Sequence, residues 1–396
     1  MKKFEFSLFA ALIIFLHLFR ISPVIALSGD SIQVTTHPID ISPRPFQVSF
    51  IPFFGTNGAQ SGEFINNFSL NILAGYNGGT SGCEIGGLIN IDRYDVSACQ
   101  IAGIGNTVMG SATGMQCAGI YNIANKVTGT QIAGLVNLTS YASGLQIAGL
   151  VNQAPGGNCS QIGGLVNNSG EKSGIQIAGL VNRAKQNTGI QLAGLVNLSE
   201  TPSGSQISGL INRTPYFKGV QIGVINLADS CKGVPIGVFS FIKNGYHKLE
   251  LSADELLPAN ISFRSGVRSF YTILSAGIKP NTLINPLWSY GGGIGTSQMI
   301  SKNTAIDFDF SFQHLVKSHH FYNNHLYKAY LGFDRKLYAK TSFSFGVTYN
   351  ILVTDTYQSN YSNQFSDIAP YSLTNQNYSH FNLKSWVGLK IGLRFF

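Results

Sequence analysis

The sequence predicts an all-β protein: an antiparallel meander closed into a large outer-membrane-type β-barrel. The alternative is a β-solenoid of 15-residue repeats joined to a smaller C-terminal β-barrel. Three observations point there. A short uncharged unit recurs through the middle of the chain, strands with one apolar and one polar face flank it, and the composition is that of neither a soluble domain nor a helical membrane protein. Charged residues are 11%, against about 25% in soluble domains, while Gly numbers 45 and aromatics reach 12%.

At the N-terminus Lys2 and Lys3 precede an apolar run from Phe6 to Phe19, followed by Pro23, Ala26 and Ser28. That order of charge, apolar core and small residues predicts a secretory signal peptide over residues 1–28, cleaved near residues 26–28. The run carries His17 and falls short of the roughly 20 apolar residues a membrane-spanning helix needs. With no cysteine before Cys83, the cleavage site offers none for lipid attachment. Residues 29–82 read as N-terminal β-strands: Phe46, Val48 and Phe50 alternate with Gln47 and Ser49, and Phe68, Leu70, Ile72 and Ala74 with Ser69, Asn71 and Gly75.

Residues 83–240 hold the repeat. The unit Glu/Gln-Ile-Ala-Gly-Leu-Val-Asn begins at Glu84 and recurs at Gln100, Gln116, Gln131, Gln146, Gln161, Gln176, Gln191 and Gln206, with shortened copies from Gln221 and Pro235. Each copy reads as a strand, with Leu145, Ile147, Gly149 and Val151 on one face and Gln146, Ala148, Leu150 and Asn152 on the other. A glycine usually stands two residues before the Gln, as at Gly114, Gly129, Gly144, Gly174, Gly189 and Gly204. Charges are displaced into the connections, such as Lys126, Glu171, Lys172 and Lys185, as a hydrocarbon-crossing strand requires.

Two architectures satisfy the repeat. In a meander, Gly149 faces Gly164 and each Gln pairs with an Asn across an antiparallel ladder. In a solenoid, each unit is one coil and identical amides stack along the axis. The constant step favours the solenoid. The variable half of each unit, such as Thr139 to Ser143, lacks the apolar inward residues a coil is expected to need, and this favours the meander.

Residues 241–396 read as C-terminal barrel strands, entered through a hairpin at Lys243-Asn244-Gly245. Ile306, Phe308, Phe310 and Phe312 alternate with Asp307, Asp309 and Ser311, and Phe343, Phe345, Val347, Tyr349 and Ile351 with Ser344, Gly346, Thr348 and Asn350. These are membrane-strand dyads, apolar outside and wet inside. Val387, Leu389, Ile391, Leu393 and Phe395 continue the pattern, like the terminal aromatic strand that barrel-assembly machinery recognises. Phe396 falls on the opposite parity.

The stretch Phe68 to Tyr76, the Gln-Ile-Ala-Gly-Leu-Val-Asn array, Gly233-Val234-Pro235-Ile236-Gly237 and Asn244-Gly245-Tyr246-His247-Lys248-Leu249-Glu250 together resemble a family of bacterial surface-repeat, outer-membrane proteins of uncharacterised function. The resemblance covers roughly Phe46 to Ile300. It implies envelope or surface location and carries no catalytic residue, cofactor or ligand with it.

Residues that could carry chemistry have plainer readings. His314, His319, His320 and His325 match no metal-ligand spacing. Gly291-Gly292-Gly293-Ile294-Gly295 lacks the Lys-Ser/Thr of a phosphate loop. Asn137-Leu138-Thr139 and Asn197-Leu198-Ser199 are by-products of the repeat rather than glycosylation sites, and Asp307 and Asp309 belong to a polar strand face. No acid, base and nucleophile set converges, so the chain reads as a non-enzyme, and no catalytic, cofactor-binding or metal residue is assigned. The net charge of +8 is spread without a Lys/Arg cluster, which argues against nucleic acid. The odd set Cys83, Cys99, Cys117, Cys159 and Cys231 reads as small apolar fillers, with room for one disulfide. The expected role is a Gram-negative outer-membrane barrel with a porin-like solute path, or alternatively a surface-exposed adhesion or ligand-binding repeat protein. Its expected partners are membrane lipid, the assembly machinery, and small solutes or host ligands.

Overall fold

A computed structural model of the protein describes residues 43–280, 286–317, 324–355 and 371–396; the expected signal peptide lies outside the described residues. No helix among them is long and apolar enough to cross a membrane. The chain is all-β, and its repeat is a β-solenoid of about 12 turns rather than part of a barrel.

The direction of pairing overturns the meander. Gln146 lies beside Gln131 on one side and Gln161 on the other, Asn137 sits between Asn122 and Asn152, and every neighbour is parallel and in register. Each 15-residue unit is one coil. Val136–Ala148 forms one long bent strand, the chain turns at Gly149 and Leu150, and the next coil starts at Val151. Among the described residues the stack begins at Pro43, so the residues 29–82 strands that are described belong to it: Phe46, Val48 and Ser49 pair in parallel with Phe68, Leu70 and Asn71.

A meander would be the better solution only if a coil had to be filled by large apolar side chains. This coil is narrow and filled otherwise. Gln146, Asn152, Ala142, Ala148 and Ala154 point inward and are buried, whereas Ile162 of the apolar face points out; Leu150 and Leu165, expected on the Gln face, point out too, because they stand at the corner where the strand alternation is broken. Two glycine columns permit the narrow section. Gly114, Gly129 and Gly144 have φ of 106°, 134° and 128°, a backbone that side chains disfavour. At the Gly149 corner a Cβ would stand 2.0 Å from the carbonyl oxygen of Gly134 in the coil below.

Asn244-Gly245 forms a turn, with Gly245 N–H donating to Ile242 O at 2.7 Å, but it is a corner and not a hairpin. The strand it launches, Tyr246–Asp254, pairs with Ala259–Val267 on one side and with Phe381–Phe395 on the other. Between those come Phe270–Lys279, Leu287–Ser301, Thr304–Lys317, Asn324–Tyr338 and Thr341–Asp355, each antiparallel to the next. The ring is closed with eight strands, and a short outer strand, Thr374–Asn377, lies against the last of them. Ladder closure leaves no edge in the ring.

Candidate functional site

Two interiors hold the chain's polar chemistry. Inside the solenoid, Gln146 Nε2 donates to Gln131 Oε1 at 2.8 Å, and Gln161 donates to Gln146 at 2.9 Å. The glutamine ladder thus donates backward along the chain. The asparagine ladder donates forward: Asn137 Nδ2 reaches Asn152 Oδ1 at 2.9 Å, and Asn152 reaches Asn167 at 2.9 Å. The second hydrogen of each Asn amide goes to the next coil's other arm, as from Asn152 to Ile162 O at 2.7 Å. Each Asn therefore pins the corner of the coil above it. That pinning explains why Asn occupies the position rather than another small polar residue.

The glutamine ladder needs a terminal acceptor, and Glu84 is that group. It receives Gln100 Nε2 at 2.8 Å, Asn71 Nδ2 at 2.8 Å and Asn77 Nδ2 at 2.5 Å. At the other end Pro235 replaces Gln and offers no donor, leaving Gln221 Oε1 without a partner. Gln100 also donates to Asp92 at 2.5 Å, so two fully buried carboxyls share one amide. Burial pushes both above the usual carboxylate range, and Asp92 is pushed furthest because burial is joined by the neighbouring Glu84 charge. A raised folded-state value contributes stability that is complete at low pH and is lost as pH climbs through the raised range. Glu84→Gln is expected to flatten that loss and raise the alkaline unfolding midpoint; thermal melts of the two proteins from pH 4 to pH 9 would measure it, with the lines converging at the acid end.

The barrel lumen is ionic. Arg264 bridges Glu250 at 2.7 Å and Asp309 at 2.8 Å, Arg394 contacts Glu250 at 2.5 Å and also reaches Asp307, and Lys390 contacts Glu250 at 2.5 Å. Tyr271 Oη donates to Asp309 at 2.6 Å. Beyond this girdle Leu256 and Leu257 fold in from a connection and pack on Leu287, Leu315, Leu326, Leu352 and Trp386. A void beside the girdle, lined by Arg264, Asp309, Lys328, Tyr330 and Lys390, is about 30 Å³, the size of one water. Outside, Phe308, Phe310, Phe312, Leu331, Phe345 and Leu389 are exposed. At the rim where the chain enters, Lys243, Lys248, Arg268, Lys302 and Lys336 surround an open vestibule of about 460 Å³.

Among the residues singled out from sequence, Asp307 and Asp309 face the lumen, each ion-paired, and form no acid pair with each other in the contacts described. His314 and His325 are cross-strand neighbours 3.5 Å apart; His319 and His320 lie outside the described residues, and no group of three metal-capable side chains occurs among those described. Gly291 to Gly295 is part of a barrel strand. Asn137 and Asn197 are buried rungs, closed to modification. All five cysteines are free thiols, Cys83 standing opposite Cys99 on the neighbouring coil. Sequence reasoning missed the carboxyl pair and the arginine girdle. Their signal was charge on an inward parity: Glu84 in a Gln column, Asp92 two residues after Asn90, and Arg394 between Leu393 and Phe395.

No family model, curated protein or solved structure matches the chain.

Proposed function

We propose that the protein is a non-enzymatic ligand-binding repeat scaffold of the Gram-negative envelope, held in the outer membrane by its eight-stranded barrel. The observation that carries this reading is the barrel's inverted polarity, with Glu250, Arg264, Asp307 and Arg394 fully buried inside and Phe308, Phe310 and Phe345 about half exposed outside. In water that arrangement would hide the ions and wet the rings; in a bilayer it satisfies both. The filled lumen gives no support to a solute path, so the solenoid is the working part. Fractionation combined with heat-modifiable gel migration tests the anchor: the protein is expected in outer membranes, compact before boiling and retarded after it. Recovery as a freely soluble protein would overturn the reading. In planar bilayers the refolded protein is expected to give no conductance steps; regular steps would restore the porin-like alternative.

The lengths of the connections bear on the side of the membrane. At the rim where the chain enters, strands are joined through residues 268–269, 302–303 and 339–340, whereas the strands that end at the opposite rim are separated in sequence by residues 255–258, 280–286, 318–323 and 356–380. Outer-membrane barrels keep short turns in the periplasm and long loops outside, which supports a solenoid on the periplasmic side. A second reading, adhesion, attaches to the long connection at the other rim. The segment Thr354 to Ser379 is rich in Tyr, Asn and Ser, and most of it lies outside the described residues. Its deletion is expected to abolish attachment to host or matrix material if adhesion is the role, and unchanged attachment would reject that role.

A further inference from the structure

The last coil shows how the solenoid lies. Its strand Phe239–Ile242 pairs with Ile225–Ala228 on one edge, which leaves the other edge with open backbone groups. Two hydroxyls on the barrel's outer wall close it: Ser240 N–H donates to Ser265 Oγ at 3.3 Å, and Thr272 Oγ1 donates to Val238 O at 3.1 Å. Ser265 and Thr272 are direct cross-strand partners, on the face opposite Arg264 and Tyr271, which point into the lumen. They stand beside the short turn at residues 268–269. Coils stack along their hydrogen bonds, so the stacking direction runs into the barrel wall rather than along it. The solenoid's long axis therefore crosses the barrel axis, at the level of the rim.

A rod of about 12 coils, roughly 55 Å long at the usual strand spacing, that leaves a membrane barrel sideways at its rim must run along the membrane surface. Its flanks are unlike. One arc is a ladder of outward Ile and Leu, including Leu135, Leu150, Ile162, Leu165 and Ile177, each between 36% and 42% exposed. The charges Lys126, Glu171, Lys172 and Lys185 stand on the variable arm instead, where Lys126 lies over the Tyr141 ring. An uncovered apolar stripe of that length exceeds what a monomer leaves in water. The coil backbone and amides are bonded to one another within the stack, so hydrocarbon against the stripe leaves no polar group stranded.

We propose that this Ile/Leu arc rests on the acyl chains of the leaflet at the barrel's short-turn rim, making the solenoid a second, in-plane membrane contact continuous with the barrel's outer wall. The proposal rests on the anchor reading above, and the experiment separates the two. Trp288 is 51% exposed on the barrel wall, while Trp386 is sealed in the lumen. The full chain is reconstituted in phosphatidylcholine vesicles with and without dibrominated acyl chains, and fluorescence is read with brominated lipid or aqueous iodide as quencher. In the unaltered protein, Trp288 reports on the barrel. In a Trp288→Phe background, Ile162→Trp and Ile177→Trp report on the apolar arc, and Tyr141→Trp reports on the charged arm.

The expected result is that both arc tryptophans are quenched several-fold more by brominated lipid than Tyr141→Trp, which responds to iodide. Lipid quenching of Trp288 alongside iodide quenching of both arc positions would overturn the proposal and leave the anchor standing. Arc tryptophans shielded from both quenchers would mean that protein, such as a second copy, covers the arc, and would also overturn it. If Trp288 itself escapes lipid quenching, the anchor reading fails and the proposal falls with it.

Discussion

Asn152→Leu is expected to destabilise the solenoid by about 3 to 6 kcal/mol, although the two side chains have nearly the same shape. Three groups lose their partner at once: the buried Asn137 amide that donates to Asn152, the buried Asn167 oxygen that receives from it, and the part-buried Ile162 carbonyl that holds the corner. Each orphaned group costs about 1 to 3 kcal/mol, against a net worth near 1 kcal/mol for a bond that is merely exchanged with water. Because coils interact only with their neighbours, the damage should also uncouple the stack on either side. Urea unfolding followed by far-ultraviolet circular dichroism is expected to change from one transition to two. Leu150→Ala, one corner away but pointing outward, should leave a single transition.

Arg394→Met is the corresponding lesion in the barrel and is expected to cost about 3 to 5 kcal/mol. Methionine keeps most of the stem volume, so the loss is electrostatic. Glu250 retains Arg264 and Lys390, but Asp307, and Asp334 which Arg394 reaches at 3.3 Å, are left buried with no cation in the contacts described. The double variant Arg394→Met/Asp307→Asn should recover part of the loss, since the fully buried carboxylate is gone and only Asp334 stays unpaired. Urea midpoints of the heat-modifiable form in detergent would measure both proteins. Equal midpoints for the single and double variants would show that the girdle is not what holds the ring.

Much of this was legible in the residues. Strand faces could be read at both levels, Ile147 apart from Gln146 in the repeat, and Phe308, Phe310 and Phe312 apart from Asp307 and Asp309 in the barrel; Leu150 was the exception, placed with Gln146 by strict alternation and turned outward by the corner at Gly149. Direction could not. A two-residue period tells which side a residue faces but not whether the next strand runs with it or against it, and Gln opposite Asn looks as satisfactory on paper as Gln opposite Gln. What decides is that an amide has both a donor and an acceptor, so identical amides at one strand spacing can bond indefinitely, with a carboxyl such as Glu84 to end the row. The expectation that a coil needs large apolar filling failed for the same reason. Ala142 and Ala154 suffice where the amides occupy the rest. The lumen was legible as polar, but not as plugged, because Leu256 and Leu257 reach it from a connection whose alternation says nothing about the ring. The Asn244-Gly245 turn was placed correctly and given the wrong partner: a hairpin signal fixes the bend, and the barrel takes the strand that follows.

The claim on which all else depends is that successive repeat units stack parallel and in register. Cysteine cross-linking addresses it directly. Ile147 lies opposite Ile162 on the neighbouring coil, at a strand spacing of about 4.8 Å that a disulfide spans without strain. The double variant Ile147→Cys/Ile162→Cys is expected to oxidise readily to a bond identified by peptide mass spectrometry, whereas Ile147→Cys/Val166→Cys should not. The opposite outcome, a bond in the variant altered at Ile147 and Val166 and none in the one altered at Ile147 and Ile162, is what an antiparallel meander with facing glycines would give, and it would contradict the solenoid.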